Sequence, residues 1–595
     1  MQTKHFLHDP TALVLSALHS LTLTNPSLGF DPTNKIIYRR PSPSHSSTGP
    51  DVKVSIISGG GSGHEPGFSG FVGKGLLTAG VAGNIFASPS AEQVRRAVAT
   101  RVPTAKGVLV MTMNYTGDVL NFGMAAEKAK AGGVATEFFA IGDDVGVGRR
   151  KGGKVGRRGI AGGILVMKIC GAAAEAGCSL GEVYGLAKLV TANLVSVGSS
   201  MEHVHVPGRE VTGDGELAEG EIEVGMGIHN EPGSMTVKCD LRELVGIMLR
   251  QCLDEKDEDR YFVDFKQGDD VVLFMNNLGG LSMLELAGIT DEVVKQLDQD
   301  WRVRPVRIIS GTFLTSLNGL GFSLSLLRLK DAGLGPGKSM LELLDATAEA
   351  VGWAAPVRAQ TWEADNRETM EHSDEITPEA RPSSLTLQHP EVAMQALRTG
   401  LERMIKSEPE VTRYDTAVGD GDCGVGLKRG AEAVLKKMQE QEQLPSDAVA
   451  FVNLIVPVVE ESMDGTSGAI YSIFLNALAH GLREQDKGSR QVVDARVWAA
   501  ALRSGLQALA KYTPARPGDR TLLDALVPFV DTLGSSGDVK KAAADARKGA
   551  EATKRMKASL GRAVYVGGED DWIGKIPDPG AWGLAEFLDG ISEAC

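Results

Sequence analysis

Three aspartates occur within eight residues in the segment YDTAVGDGDCGVGLKRG (414–430). Carboxylates this close together repel one another unless a divalent cation neutralises them, and hard oxygen ligands suit Mg²⁺. The spacing is not that of an EF-hand, which needs further oxygen ligands and a closing glutamate. The sequence therefore predicts a Mg²⁺ site at Asp415, Asp420 and Asp422. Glycines after it lead into a helix whose first N–H groups could receive phosphate.

A glycine-rich turn follows the first predicted strand, in SGGGSGHEPGFSG (58–70). Successive glycines allow positive φ and a close approach of the backbone to a ligand, and His64 stands near the end of the turn. The pattern is neither a G-x-G-x-x-G fingerprint nor a P-loop, because no Gly-Lys-Ser/Thr follows it. Both a ligand-binding loop and a plain tight turn are compatible with it.

Two further residues could take part in acid–base or nucleophilic chemistry. Asp118 lies just past a predicted strand, where it could accept a hydroxyl proton or simply cap the next helix. His229 lies in the glycine-rich turn GMGIHNEPG, but a lone histidine is more often structural than catalytic, so its role stays open. His203 and His205 alternate along a predicted strand without a third ligand nearby, and we do not predict a metal there.

Three segments of the C-terminal half could contribute to a nucleotide site. Small hydroxyl residues and glycines at helix starts make anion sites, and an arginine can pair with a phosphate. The segments are MDGTSGAIY (463–471) with Thr466 and Ser467, RPGDRT (516–521), and residues 561–581, which include Arg562 and end in DPGA. None of them is specific by itself.

The predicted secondary structure that positions these residues changes along the chain, from alternating strands and helices to helices alone. Before about residue 350, short β-branched runs end in Gly/Ser clusters and give way to helical patterns, which is typical of an α/β domain. Ligand sites of such sheets lie at the C-terminal ends of the strands. The clearest predicted strands are 52–57, 108–112, 138–141 and 271–275.

The C-terminal part of the sequence lacks this alternation of strands and helices. Residues 356–388 are polar, acidic and proline-bearing, as in a linker, and apolar residues then recur at three-four spacing. The predicted helices are 390–405, 424–442, 446–462, 469–483, 494–511, 522–533 and 539–556. We therefore predict an α/β domain over 8–355, a linker over 356–388 and an all-α domain over 389–595.

The composition excludes several classes of protein. The chain of 595 residues is long enough for two or more domains, and its formal charge of -14 argues against nucleic-acid binding. The apolar run 12–23 reads as an amphipathic helix, and elsewhere no stretch reaches the roughly 18 to 20 apolar residues of a membrane span. Six scattered cysteines without a CxxC pair fit reduced thiols in a cytoplasmic protein.

Taken together, the motifs resemble the dihydroxyacetone kinase family. The resemblance is to the single-chain, ATP-dependent type, in which a substrate-binding DhaK-type domain precedes a nucleotide-binding DhaL-type domain. The motifs GGGSGHEP, NYTGDVLNFG, RGIAGGILVMKICGAAAEAG, GIHNEPG, GDGDCG, GTSG, RPGDRT and DPGA occur in the family's order over nearly the whole chain. The resemblance implies an α/β domain of two subdomains, followed by an eight-helix barrel.

The resemblance also implies an activity and roles for individual residues. ATP and two Mg²⁺ ions would serve the phosphorylation of dihydroxyacetone, and of D-glyceraldehyde, with the substrate held as a hemiaminal on His229. Asp118 would orient and deprotonate the terminal hydroxyl, and His64 would bond the substrate oxygens. The implied substrate-binding residues are Gly60, Gly61, Ser62, Gly63, His64, Met113, Asp118 and His229. The implied nucleotide-binding residues are Gly421, Asp422, Cys423, Gly424, Thr466, Ser467, Arg520, Arg562, Asp578, Pro579 and Gly580, and the metal ligands are Asp415, Asp420 and Asp422.

Two departures from the family pattern concern the substrate. Met113 stands where a lysine is usual, and Gly67-Phe68 stands where Ala-His is usual. Loss of a cation beside the carbonyl could weaken dihydroxyacetone binding or change the preferred sugar. Two alternatives stay open. One is an FAD-AMP lyase (cyclising) activity of the DhaL-type domain, which the resemblance to animal relatives implies, and the other is a triose-sensing binding protein without transfer, which Met113 favours. The family also implies a homodimer, while charge and hydropathy predict neither a nucleic-acid nor a membrane partner.

Overall fold

The computed structural model describes residues 3–40, 52–210, 217–353, 357, 359–363, 382–441, 445–463, 465–560 and 572–595. Arg562 lies outside these residues. The chain separates into two compact units, Met1–Glu371 and His372–Cys595.

The first unit is built on two sheets that are six-stranded in the described part of the chain. The first sheet contains β1 (Leu28–Asp31), β2 (Ile36–Arg39), β3 (Ser55–Ser62), β4 (Ala79–Ile85), β5 (Val108–Met113) and β6 (Thr136–Ile141). The second contains β7 (Leu194–Ser200), β8 (Ile222–Val224), β9 (Met235–Val237), β10 (Val271–Asn277), β11 (Arg307–Gly311) and β12 (Gly321–Arg328).

Helices cover both sheets. They are α1 (Pro10–Thr24), α2 (Ala91–Thr100), α3 (Thr116–Ala131), α4 (Arg149–Gly152), α5 (Gly163–Glu175), α6 (Leu180–Ala192), α7 (Leu241–Leu253), α8 (Met283–Trp301), α9 (Met340–Asp345) and α10 (Ala359–Glu363). Helix α5 is buried along nearly its whole length, because GILVMKICGAAA presents apolar or small residues on every face.

The strand order of the first sheet places the C-terminal ends of β3 and β5 next to each other. Its order is β1-β2-β4-β3-β5-β6, and β3 runs parallel to both β4 and β5, while β5 runs parallel to β6. The C-terminal ends of β3 and β5 therefore lie at the same edge of the sheet, where α/β folds bind ligands. The residues that follow those two strands are the turn around His64 and the start of α3 with Asp118.

The second sheet has the order β11-β10-β12-β7-β8-β9 and is antiparallel except for the pair β10–β11. Strands β8 and β9 form a hairpin whose connection contains His229. One core cluster contains Leu109 of the first sheet and Phe274 of the second. The α/β domain with two subdomains is thus confirmed, and its two sheets share a core.

The described residues of the second unit are helical apart from one short strand pair. Its helices are α11 (Pro390–Val418), α12 (Cys423–Gln439), α13 (Ala448–Asn453), α14 (Val456–Ser462), α15 (Gly465–Gln485), α16 (Ala495–Tyr512), α17 (Leu523–Ser536), α18 (Val539–Ala552) and α19 (Pro579–Ala594). They surround an apolar cavity of about 470 Å³, which agrees with a barrel of helices. Among the described helices, none is both long and apolar enough to span a bilayer.

Several predicted boundaries differ from the structure for physical reasons. Strand β3 runs through Ser62, so glycines 59–61 belong to the strand. The close packing there requires glycine, because a Cβ at these positions would lie 2.1 to 2.8 Å from Val81, Phe68 or Ala87. The predicted helix 446–462 is two helices, since Pro457 in the first turn of α14 starts a new one. Helix α11 continues thirteen residues past the predicted end at 405 to Val418.

Other elements were not predicted. Helix α19 was missed, although Asp578 caps it and Pro579 occupies its first turn. The second unit is not purely helical, because β13 (Leu385–Thr386) pairs with β14 (Gln491–Val492). Strand β13, together with α10, falls inside the range predicted as a linker.

Candidate active site

The predicted substrate-binding glycines lie at the end of β3 and in the turn that follows it. Gly60 and Gly61 are strand residues, and so is Ser62, whose hydroxyl donates to the Gly83 carbonyl at 2.9 Å. A Cβ on either glycine would lie 2.8 Å from a neighbouring atom. Gly63 begins the turn at φ +98°, a conformation that favours glycine.

His64 is held in the interior by the segment that leads into β12. Its side chain is buried, with 1% of the residue exposed, and its Nδ1 lies 2.9 Å from the carbonyl oxygen of Thr315. The Leu317 N–H donates to the Gly63 carbonyl at 2.7 Å. Because a carbonyl can only accept, Nδ1 of His64 carries the hydrogen and Nε2 has the free electron pair.

The β8–β9 connection presents His229 to the same interior. Asn230 adopts a φ of +63°, and its side-chain amide exchanges two hydrogen bonds of 3.0 Å with the backbone of Val204. The Ser316 hydroxyl donates to the carbonyl of Ile228 at 2.7 Å. These contacts fix the backbone on both sides of His229.

His64 and His229 meet although they come from different sheets. Their Nε2 atoms lie 3.1 Å apart. On its other side, Nδ1 of His229 lies 2.8 Å from Oε1 of Glu231, and Oε2 of the same carboxylate accepts the His229 backbone N–H at 2.9 Å. Burial and the neighbouring charge of His229 lower the pKa of His64 to about 3.

Two aromatic rings complete the surroundings of the histidines. Phe86 stacks on His64, with ring centroids 5.2 Å apart, and meets the His229 ring edge-on at the same distance. Tyr115 lies edge-on to His229 at 4.8 Å, and its buried hydroxyl lacks a hydrogen-bond partner among the described residues. The site is therefore partly apolar and contains a polar atom that a ligand could satisfy.

Asp118 lies in the first turn of α3 and is 7% exposed. Its Oδ1 is buried and accepts nothing from the residues that the structure describes. Burial raises the pKa of Asp118 to about 6, against smaller opposing effects of a Ser88 hydrogen bond and the charge of His229. A carboxylate in this state is suited to accept a proton from a ligand hydroxyl.

Met113 ends β5 and is 2% exposed, as part of the core. Its sulfur lies 2.7 Å from the position of a Cβ built on Gly159 or on Gly163. The side chain thus packs closely on Gly159 and on Gly163, the first residue of α5. Any contact that Met113 makes with a substrate would be apolar, and its substrate-binding role stays a prediction.

The remaining two candidate histidines have protein partners. Nε2 of His203 lies 2.8 Å from a carboxylate oxygen of Glu223, and Nδ1 of His205 lies 3.0 Å from Nε2 of His5. Residues 203–205 are not part of a strand, so the predicted alternation along one is wrong.

The three predicted metal ligands come together at the junction of α11 and α12. One carboxylate oxygen of each of Asp415, Asp420 and Asp422 lies within 4.8 Å of the others. Asp415 is buried and accepts the Cys423 N–H at 3.0 Å, while Asp420 and Asp422 are exposed. Gly421 turns the chain between them with φ +80°. This oxygen-only set fits Mg²⁺.

The start of α15 lies next to Cys423, the residue that follows the aspartate cluster. Ser467, in the first turn of α15 beside the exposed Thr466, has its hydroxyl 3.9 Å from the sulfur of Cys423. Burial raises the pKa of the Cys423 thiol to about 12, so it would line the site as a neutral group. Gly424 follows in the first turn of α12, where a Cβ would overlap the side chain of Thr412.

The Asp578-Pro579-Gly580 turn begins α19. Oδ1 of Asp578 accepts the Ala581 N–H at 2.7 Å. Burial raises the pKa of Asp578 to about 6, and the charge of Asp415 adds to this rise. The turn therefore lies within electrostatic reach of the metal-ligand cluster.

Arg520 is buried, and its guanidinium donates hydrogen bonds to backbone carbonyl groups. It adopts a φ of +59° and donates from Nη2 to Ile576 at 3.0 Å and from Nε to Thr553 at 3.3 Å. Its guanidinium also lies 4.5 Å from the centre of the Trp572 ring. These contacts hold the segment that precedes Asp578, so its predicted contact with a nucleotide stays a prediction.

Comparison with known proteins identifies two domains in the same order as the α/β unit and the helical unit. Residues 19–352 match the Dak1 domain, and residues 417–593 match the DAK2 domain. A Pichia angusta protein named dihydroxyacetone kinase is 43% identical, with 100% of this chain and 99% of the relative covered. The chain belongs to the dihydroxyacetone kinase family.

Other members of the dihydroxyacetone kinase family cover the chain equally well. The human protein named triokinase/FMN cyclase is 35% identical over 100% of this chain and 99% of its own length. The crystal structure of the dihydroxyacetone kinase from C. freundii with AMP-PNP and Mg²⁺ has a TM-score of 0.62 and 29% identity, with both chains covered completely. The family's Dak1 match includes His64, Asp118 and His229.

The sequence alone did not single out Glu231, Phe86, Tyr115 or Thr315. Glu231 stands two residues after His229, so a histidine with a nearby carboxylate was a usable signal. Phe86 and Thr315 reach the site through long-range packing, and nothing in their local sequence indicates it.

Proposed function

We propose that this chain transfers the terminal phosphoryl group of ATP to a hydroxyl of dihydroxyacetone, and also phosphorylates D-glyceraldehyde. The observation that carries this proposal is that a ring nitrogen of His229 and an unpartnered carboxylate oxygen of the buried Asp118 lie close enough for the charge of His229 to act on that carboxylate. A nucleophilic nitrogen suits a carbonyl carbon, and the carboxylate suits a hydroxyl. The names of the relatives support the same substrate class.

The first step is reversible addition to the carbonyl. The electron pair of His229 Nε2 forms a bond to the carbonyl carbon, the π electrons move to the oxygen, and that oxygen takes a proton, which gives a hemiaminal. Glycerol has no electrophilic carbon and cannot form this bond. The covalent contact therefore selects keto and aldehydo trioses over the polyol.

The second step is phosphoryl transfer from ATP to a terminal hydroxyl of the held substrate. Asp118 accepts the proton of that hydroxyl while its oxygen bonds to the terminal phosphorus and ADP leaves. Because such transfer depends mainly on alignment and charge neutralisation, a fixed hydroxyl next to a buried base supplies much of what is needed.

Asp415, Asp420 and Asp422 would hold Mg²⁺, which would neutralise the phosphate oxygens of the nucleotide. Ser467, Gly424 and the 578–580 turn would line the nucleotide site, because they lie around that cluster. Helices α12 and α15 both begin in this region, and the N-terminus of a helix favours phosphate.

Two further proposals concern the oligomeric state of the protein and its cellular compartment. The family resemblance implies a homodimer, which size-exclusion chromatography with light scattering would test. All six cysteines are free, which supports a reducing compartment such as the cytoplasm.

A second candidate activity is cleavage of FAD with cyclisation of its FMN portion. It is favoured by the name of the human relative, triokinase/FMN cyclase. It would use the second unit and would not need His229. Release of AMP from FAD by a His229→Ala variant would reveal it separately from the kinase.

The kinase proposal is tested by ADP release from ATP and Mg²⁺ with four acceptor conditions: dihydroxyacetone, D-glyceraldehyde, glycerol and none. We expect turnover with the two carbonyl compounds, little with glycerol and only background without an acceptor. Acceptor-independent turnover, or none with either triose, would contradict the proposal.

A further inference from the structure

The carboxylate of Glu231 holds His229 from two directions. Oε1 lies 2.8 Å from the ring Nδ1, and Oε2 accepts the backbone N–H of the same residue at 2.9 Å. Hydrogen bonds from His229 lower the pKa of Glu231 to about 2, although burial opposes this shift. The group is thus a carboxylate that can only accept, and Nδ1 of His229 must carry a hydrogen.

The glycine at position 227 makes room for this carboxylate. A Cβ on Gly227 would overlap Oε2 of Glu231 and would lie 2.6 Å from Nη1 of Arg158. Arg158 is itself bonded to the buried Asp144, at 2.7 Å. The turn therefore has a glycine where any side chain would displace the partner of His229.

The remaining donors and acceptors decide where a proton must lie. Nδ1 of His64 donates to Thr315, and Nδ1 of His229 donates to Glu231, so both Nε2 atoms would have a free electron pair in neutral rings. Those two atoms face each other at 3.1 Å. One proton between them turns the repulsion of two electron pairs into a hydrogen bond, and the carboxylate of Glu231 compensates its charge.

We propose that Glu231 is a positioning residue for the covalent step, which fixes the His229 tautomer that attacks through Nε2 and compensates the charge of the alkylated ring. This inference rests on the proposed function. The proton between the two Nε2 atoms moves onto Nε2 of His64, which frees the electron pair of His229 Nε2 to bond to the carbonyl carbon. The same proton then passes from His64 to the carbonyl oxygen. His229 keeps its Nδ1 hydrogen and becomes a cation opposite Glu231, so the charge balances without a proton from solvent.

The test compares Glu231→Gln with Glu223→Gln in the full-length protein. Glu223 is a matched control, because it also bonds one histidine, His203, at 2.8 Å and one backbone N–H, that of Gly233, at 2.8 Å. For Glu231→Gln we expect the Kd of dihydroxyacetone, measured by calorimetry without ATP, to rise about 10- to 100-fold, by analogy with the loss when a metal-binding histidine is deprived of its carboxylate partner. The kcat at saturating substrate should fall by a smaller factor. Glu223→Gln should leave both values unchanged.

A spectroscopic measurement separates positioning from general damage. In protein labelled with ¹⁵N-histidine, the His229 ring should show a protonated Nδ1 in the wild type and a mixture of tautomers in Glu231→Gln. If that variant does not fold, Glu231→Asp and Gly227→Ala replace it, and both should weaken dihydroxyacetone binding.

The possible failures can be told apart. Equal affinity of wild type and Glu231→Gln for dihydroxyacetone, with an unchanged His229 tautomer, would overturn the role of Glu231. If His229→Ala also bound dihydroxyacetone as the wild type does, the covalent step of the proposed function would itself be wrong.

Discussion

The Nε2 atoms of His64 and His229 lie 3.1 Å apart, although the two residues are 165 positions apart in the chain and follow strands of different sheets. Each histidine is also bonded through Nδ1 to a group of the second subdomain, Thr315 for His64 and Glu231 for His229. The proposed binding site for the carbonyl is therefore built by the packing of the two subdomains, and neither sheet forms it alone.

Replacement of His229 by alanine should remove carbonyl selectivity. We expect the KM of dihydroxyacetone to rise at least about 10-fold while glycerol kinetics hardly change, because only the carbonyl compound loses a covalent contact. Steady-state ADP release with both acceptors measures this. His203→Ala is the control, since that histidine is bonded to Glu223. Unchanged discrimination between the two acceptors in His229→Ala would refute the covalent mechanism.

The pH dependence should report Asp118. Burial raises the pKa of this carboxyl to about 6, and only the deprotonated form can accept the substrate proton. Activity should therefore fall as the pH drops through about 6 and level off above it. Kinetics between about pH 5 and 8 test this. Asp118→Asn should lower kcat about 100- to 10,000-fold, as for a lost general base. A wild-type rate that is constant over this range would argue against Asp118 as the base.

Loss of one metal ligand should abolish turnover without unfolding the protein. Asp420→Asn removes a carboxylate from the 415–422 cluster, and we expect kcat to fall at least about 100-fold because phosphate charge is no longer neutralised. Chelation with EDTA should have the same effect and be reversed by Mg²⁺. Asp531→Asn, which changes an exposed aspartate of α17, is the control. Full activity of Asp420→Asn at limiting Mg²⁺ would remove that residue from the metal site.

A methyl group on Gly61 should disturb the His64 side of the site. Its Cβ would lie 2.8 Å from Ala87 N and 3.1 Å from the Cα of Phe86, the residue that stacks on His64. We expect Gly61→Ala to destabilise the protein by about 1–3 kcal/mol, as overpacking does. The KM of dihydroxyacetone should also rise. Thermal unfolding and kinetics measure the two effects, with Gly123→Ala as the control because its Cβ meets nothing within 4 Å.

Much of the scaffold could be predicted from local pattern. Strands β5 and β10 begin where β-branched runs begin, and the helices of the second unit follow apolar residues at three-four spacing. The Asp415, Asp420 and Asp422 cluster was predictable because all three ligands lie in one short segment. Repulsion between neighbouring carboxylates can be inferred from their spacing in the sequence, without knowledge of how the chain packs.

The substrate site could be predicted only in part, because its parts are distant in the chain. Residue type and position indicated that His229 and Asp118 could be reactive. They did not indicate that the ring of His64 would contact the ring of His229. Phe86 and Thr315 are positioned by packing between β-strand ends and by the approach of the second sheet. Such contacts depend on the three-dimensional fold, and no local spacing encodes them.

The covalent bond between His229 and the substrate can be observed directly by NMR. Protein labelled with ¹⁵N-histidine is mixed with dihydroxyacetone labelled with ¹³C at its carbonyl carbon, without ATP. We predict a protein-bound tetrahedral carbon whose signal is split by a directly bonded ¹⁵N and is missing in His229→Ala. A bound ligand that keeps an unsplit carbonyl or hydrate carbon would contradict the claim that His229 holds the substrate covalently.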